Sequence, residues 1–110
     1  DGSFLYNPVV QSLGVANESG LPILIILFNN KKYSVMQSIH LGWYPEGEAH
    51  TAQDFHGVHI QGPDYQGLLE PFGGYGEKVE HPADLRPALR RALDEVKAGR
   101  TAIVDVVLAF

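Results

Sequence analysis

The sequence predicts an α/β fold, a doubly wound parallel sheet with helices on both faces. Three observations carry this reading. Helix and strand signals alternate in the order helix, strand, helix, loop, helix, strand, helix, strand. Ile23-Leu24-Ile25-Ile26-Leu27-Phe28 is a continuous β-favouring run, not an alternating one, as suits a strand buried on both faces of a parallel sheet. Ala102 to Leu108 has the same character near the other end of the chain. Such alternation implies a sheet joined by right-handed crossovers.

The elements follow in order. Asn7-Pro8 is a helix-start signal, because Asn can cap free N–H groups and Pro fits the first helical position. A helix is expected from Pro8 to about Asn17, with Gly14 weakening it and Gly20-Leu21-Pro22 closing it. After the apolar strand, Tyr33 to about Ile39 reads as a short helix. His40 to His59 shows no period and is rich in Gly, Pro, His and Glu, so a long loop with little regular structure is expected. Gly62-Pro63-Asp64 then opens a helix whose apolar residues Tyr65, Leu68, Leu69 and Phe72 share one face, and Gly73-Gly74 ends it. Gly76 to Glu80 is a short strand. His81-Pro82-Ala83-Asp84 opens the longest helix, with Leu85, Leu89, Leu93 and Val96 on one face and Gly99 as its stop. Pro87 falls inside it and is expected to kink it mildly.

Composition narrows the function classes. With 110 residues and 45% apolar content, the chain can bury one core. A net charge of −5 argues against nucleic-acid binding, which needs clustered cations. Arg86, Arg90 and Arg91 are interleaved with Asp84, Asp94 and Glu95, the pattern of a solvated helix face. The absence of cysteine excludes disulfides and thiolate sites and fits a reducing, cytoplasmic setting. The apolar run from Leu21 to Phe28 is too short to span a bilayer, and no signal peptide is visible. The chain opens on Asp1-Gly2 without an initiator Met, so it is expected to be a piece of a longer protein.

In open α/β sheets, ligands sit beyond the carboxyl ends of the strands. Two such loops stand out, Asp1-Gly2-Ser3 and Asn29-Asn30-Lys31-Lys32. An Asp carboxylate and an Asn carbonyl are hard oxygen donors. With a backbone carbonyl and phosphate oxygens they would complete an octahedral Mg²⁺ shell. Gly2 would let the backbone approach a phosphate, and the following helix would offer N–H groups at its positive end. The alternative is that Asp-Gly and Asn-Asn are simply turns.

The residues alone leave both readings open, and the spacing matters through a resemblance. Asp1-Gly2 is separated from Asn29-Asn30 by residues 3 to 28, a stretch of 26 residues. The chain thereby resembles the thiamine-diphosphate-dependent enzymes, acetolactate-synthase-like and benzoylformate-decarboxylase-like. Their signature is Gly-Asp-Gly, a spacer of similar length, then Asn or Asn-Asn. Ser3-Phe4, the Leu21-Pro22 entry to the strand and the Pro63-Asp64-Tyr65 helix start all match. So do the Phe72-Gly73 helix end, Val79-Glu80-His81-Pro82 and the closing strand, which runs from Gly99-Arg100 to Val106. The resemblance covers essentially the whole chain. It implies an incomplete thiamine-diphosphate-binding fold, residues 1–110 being the C-terminal part of the diphosphate-binding domain.

What the resemblance implies for the site goes residue by residue. Asp1 and Asn30 would supply side-chain oxygens to Mg²⁺, and Lys32 its backbone carbonyl. Gly2 and Ser3 would hydrogen-bond the diphosphate. Tyr33, Ser34 and Val35 would contact the diphosphate and lead to the substrate pocket, with Met36 on the substrate side. Lys31 stands where many members carry Gly, and a negative φ is expected of it. The Glu that promotes the cofactor's ylide would come from a pyrimidine-binding domain, usually of a second subunit. The parent would then be a homodimer or homotetramer acting on a small 2-oxo acid as a decarboxylase or carboligase, and this piece alone would be inactive.

Other groupings are weaker. His56 and His59 could chelate a transition metal with His50 and Asp54 nearby, but Gly57 and the loop context oppose it. One of His40, His50, His56 and His59 could donate a proton at the active site, against the plain reading of exposed loop histidines. Glu46 and Glu48 read as loop carboxylates, and Trp43 and Tyr44 as loop-anchoring or interface aromatics. A non-catalytic α/β domain is the competing class. A dinucleotide-binding domain is disfavoured because no Gly-x-Gly-x-x-Gly follows a strand.

Overall fold

A computed structural model describes residues 1–108. Five helices, α1 (Gly2–Tyr6), α2 (Val9–Glu18), α3 (Ser34–Trp43), α4 (Glu48–Ala52) and α5 (Pro82–Lys97), surround three strands, β1 (Leu24–Asn29), β2 (Tyr75–Val79) and β3 (Ala102–Val107). A 3₁₀ segment, Tyr65–Phe72, precedes β2. The sheet is wholly parallel in the order β1-β3-β2. The last strand in sequence is therefore the central one. Leu24 to Asn29 register with Ala102 to Val107, and Tyr75 to Val79 with Ala102 to Val106.

Layers cover both faces, as the alternation predicts. On one face α5 lays Leu85, Leu89 and Val96, with the fully buried Ala88 and Ala92, against Val79, Ala102, Val104 and Val106. On the other, Leu13 of α2 and Tyr65 and Leu69 of the 3₁₀ segment pack on Leu27 and Ile103. Leu69 is 1% exposed, so its truncation to Ala should cost about 3 kcal/mol.

Several expectations are corrected. Burial on both faces holds for β3, but not for β1, where Ile26 and Phe28 are exposed. Those two share a face with Val104 and Val106, and α5 covers only the Leu24 end of it. Asn7 does not cap α2. It ends α1, an extra one-turn helix, and its side chain donates to the Ser3 carbonyl at 2.6 Å. The segment Tyr65–Phe72 is 3₁₀, with Pro71 inside it. Pro87 sits within a continuous α5.

The stretch from His40 to His59 is more ordered than its composition suggests. α3 continues to Trp43, α4 adds a turn, and Lys32 pairs with His59 in an antiparallel bridge. Tyr33 N–H donates to the Val58 carbonyl and Ile60 N–H to that of Lys31, both at 2.8 Å. This ties the far end of the excursion back to the Asn-Asn loop. No side chain of α3 is buried, and Val35, Met36, Ile39 and Trp43 are exposed. Among the described residues, no helix is long and apolar enough to cross a membrane.

Candidate functional site

The sequence places Asp1 and Asn30 in different loops 29 positions apart, and the fold brings them together. Asp1 N donates to the Phe28 carbonyl at 2.8 Å, which fixes the first loop beside the carboxyl end of β1. Asp1 is also the N-cap of α1, and its Oδ1 accepts from Gly2 N–H at 3.0 Å. Asn30 follows directly on β1. Its amide contacts Ser34 Oγ at 2.6 Å through one terminal atom. The other terminal atom lies 2.9 Å from Asp1 Oδ1 and 2.8 Å from the Lys32 carbonyl oxygen.

That second position has two chemical solutions. As nitrogen, it would donate to both oxygens. As oxygen, it closes a triangle of three oxygens that only a cation can hold together. Oxygens coordinated at roughly 2.0–2.1 Å in an octahedral Mg²⁺ shell lie about 2.9 Å from their neighbours. The observed spacings fit that geometry. In the oxygen orientation Asn30 Nδ2 donates to Ser34 Oγ, and Oδ1 also accepts from Lys32 N–H at 3.3 Å. Asp1 Oδ2 is a buried oxygen without a partner among the described residues. A buried acceptor left unmade costs about 1–3 kcal/mol, and more when charged. The donor set is carboxylate, amide and carbonyl, all hard oxygens, so the residues present fit Mg²⁺.

A cleft of about 290 Å³ opens at this point. It is lined by Asp1, Gly2, Ser3, Asn30, Lys32 and the run from Tyr33 to Met36, so the residues singled out in the sequence converge there. Tyr6, Phe28 and Leu108 also line it and carried no signal in the sequence. α3 starts at the cleft with no side-chain cap, leaving its first-turn N–H groups for an acceptor. Gly2 is buried, and a β-carbon there would meet the Tyr33 ring at 2.6 Å. Here the glycine is needed for the ring, which also stacks on Tyr6 at a centroid distance of 5.3 Å.

The Asn-Asn loop departs from one expectation. Lys31 has φ +53°, in the left-handed region and not at negative φ. A non-glycine residue there costs about 1–3 kcal/mol and persists only where its surroundings determine it. Asn29 is such a surrounding. It is 5% exposed, its Oδ1 accepts from Lys31 N–H at 3.3 Å, and its Nδ2 donates to Asp105 Oδ2 at 3.3 Å. From the sequence, Asn29 falls in the motif but carries no assigned role, and Asp105 goes unnoticed. The available signal was a lone carboxylate inside the otherwise apolar β3.

Asp105 is 2% exposed, and burial pushes its carboxyl above the ordinary value, against the pull of Asn29 and Lys78. Behind it lies a polar cavity of about 420 Å³ that includes Lys31, Asp64, Tyr65 and Lys78. It is larger than the cleft, but the converging oxygens lie in the cleft.

The histidines do not assemble. His40 packs against Tyr44 and Phe55, His50 contacts the Pro45 carbonyl, and His56 pairs with Asp54 at 3.5 Å in full exposure. His59 meets the loop through its backbone bridge to Lys32. Among the described residues, no three His, Cys, Asp or Glu side chains cluster as a metal site.

Comparison with known proteins bears on this geometry. Residues 1–106 match the family model described as thiamine pyrophosphate enzyme, C-terminal TPP binding domain. The chain is 30% identical over 115 residues to the acetolactate synthase isozyme 3 large subunit of Escherichia coli (strain K12), covering 98% of this chain and 17% of that protein. It is 28% identical over 106 residues to the acetolactate synthase large subunit of Buchnera aphidicola subsp. Acyrthosiphon pisum (strain APS), covering 96% of this chain and 17% of that protein. To the probable acetolactate synthase large subunit of Methanococcus aeolicus it is 28% identical over 94 residues, covering 86% of this chain and 14% of that protein. The chain thus spans about one-sixth of the length of these relatives.

Proposed function

The chain belongs to the thiamine pyrophosphate enzyme family through its C-terminal TPP binding domain, and from that premise we propose that it anchors the diphosphate of thiamine diphosphate through Mg²⁺. The metal is held by the side-chain oxygens of Asp1 and Asn30 and by the Lys32 carbonyl. Ser3 and the first turn of α3, from Ser34 to Met36, offer N–H and hydroxyl donors to the diphosphate, and Gly2, whose N–H donates to Asp1 Oδ1, contacts it through its backbone. Tyr33 fixes the spacing between the two loops. The observation that carries this reading is the triangle formed by Asp1 Oδ1, the Asn30 amide and the Lys32 carbonyl, beside the unpartnered Asp1 Oδ2.

When bound, thiamine diphosphate supplies an electron sink for cleaving and forming bonds next to a carbonyl carbon. This chain's residues bind and orient its charged end. Residues 1–110 act as the C-terminal part of the diphosphate-binding domain of a larger enzyme, a decarboxylase or carboligase of small 2-oxo acids. Support for the carboligase side comes from relatives named as acetolactate synthases. A pyrimidine-binding domain, from a second subunit of a homodimer or homotetramer, covers the reactive ring. The exposed apolar side chains of Val35, Met36, Ile39 and Trp43 near the cleft suit such a cover. The 110-residue piece alone is inactive.

Calorimetric titration of the full-length parent with thiamine diphosphate, with and without Mg²⁺, tests this. Binding should depend on the metal. Asn30→Ala should weaken it at least tenfold, and added Mg²⁺ should restore part of the loss. Metal-independent binding, or an Asn30→Ala variant with native affinity, would refute the assignment.

A further inference from the structure

We infer that Asp105 is a positioning residue for the Mg²⁺ loop, acting through Asn29 on the backbone of Lys31. The inference rests on the metal reading above and extends it to two residues that touch neither metal nor cofactor. Asn29 is the last residue of β1, and its amide works at both ends. Nδ2 donates to Asp105 Oδ2 and Oδ1 receives Lys31 N–H, each at 3.3 Å. Its backbone carbonyl takes Leu108 N–H at 2.9 Å. The side chain therefore cannot turn without breaking a contact to the central strand.

The residue it restrains is the one that needs restraint. Lys31, at φ +53°, reverses the chain between Asn30 and Lys32, which supply two of the three converging oxygens. Without the left-handed residue, the Asn30 amide and the Lys32 carbonyl would not face the same point. Glycine would hold this turn freely, whereas lysine needs an outside clamp. Asp105 is a suitable anchor because it sits in the middle of β3, flanked by Val104 and Val106, at 2% exposure. A buried carboxylate in an apolar strand is costly, and its retention is explained if its oxygen aims the amide beside it.

The test uses the full-length parent and reads thiamine diphosphate binding by calorimetry as a function of Mg²⁺ concentration. Asp105→Leu removes the acceptor at similar volume, and should raise the Mg²⁺ concentration for half-maximal binding about tenfold. Asp105→Asn keeps one acceptor oxygen and should stay near the native value. Adding Lys31→Gly to Asp105→Leu should recover most of the loss, because glycine no longer needs the clamp. If Asp105→Leu does not fold, Asn29→Ala cuts the same link from its other end and carries the same expectation. A loss that Lys31→Gly fails to recover would show a purely structural role and overturn the inference. Native Mg²⁺ dependence in Asp105→Leu, with a weakened Asn30→Ala, would overturn it while leaving the metal reading intact. Native behaviour in both would sink the two together.

Discussion

The Tyr33 ring occupies the space that a β-carbon on residue 2 would need, with only 2.6 Å from that position to Tyr33 Cδ1 and 3.4 Å to Ile60 Cδ1. The first loop and the start of α3 are thus in contact through one missing methyl group. Gly2→Ala should push the ring off Tyr6 and cost about 1–3 kcal/mol, the usual range for overpacking. Denaturant unfolding would measure it. A second substitution, Tyr33→Ala, should return most of that stability, since the obstruction is the ring itself. No recovery would locate the strain in the backbone.

Asp1 should behave differently with and without metal. Its Oδ2 is buried and has no partner among the described residues, a cost that the metal-free protein bears. Asp1→Asn should leave metal-free stability unchanged or raise it, while reducing Mg²⁺-dependent cofactor affinity at least tenfold. Thermal melts of the parent with EDTA, with Mg²⁺, and with Mg²⁺ plus thiamine diphosphate separate the two effects. Equal melting shifts in native and variant protein would contradict the metal role.

Lys31→Gly alone should stabilise the chain by about 1 kcal/mol, because the left-handed conformation then carries no β-carbon penalty. The expected readout is a higher urea midpoint with an unchanged slope. A lower midpoint would mean that the lysine side chain contributes more than its backbone costs.

A pH effect follows from Glu77 at the far edge of the sheet. Arg91 first, and the Tyr75 hydroxyl at 2.5 Å, hold its carboxyl below the ordinary value of 4.5. A lowered value means that the native state binds fewer protons than the unfolded chain. The contribution is fully present above pH 4.5 and is lost as pH falls through the lowered value. Glu77→Gln should therefore cost about 1 kcal/mol at neutral pH, and progressively less below pH 4.5. A gap that stays constant down to pH 3 would show that charge is not what Arg91 reads.

Local chemistry made part of this molecule legible in its sequence. The apolar run before Asn29 and the spaced leucines of α5 mark β1 and the longest helix, and the family motif that Asp1-Gly2 and Asn29-Asn30 resemble implied that Asp1 and Asn30 meet at one strand end. What escaped depends on tertiary neighbours. α4 is a single turn with no apolar stripe, and α3, expected only as far as Ile39, turns no side chain into a core, so neither α4 nor the last turn of α3 carries a burial period to detect. The left-handed turn at Lys31 is hidden because its cause lies 74 residues away, in the carboxylate of Asp105. The exposure of Ile26 and Phe28 is equally non-local, since it depends on how far α5 reaches across the sheet.

The strand order also bears on how the protein comes into being. Among the described residues β1 and β2 do not pair with each other; each pairs with β3, which a ribosome makes after either of them. Leu24 waits 78 residues for Ala102. Until then the apolar β1 and the more polar β2 lack the strand that lies between them, and Asn29 has no carboxylate to hold it. Such long-range closure is slow and leaves strand edges open to wrong partners. The metal loop precedes β3 along the chain but takes its shape only when that middle strand of the sheet arrives.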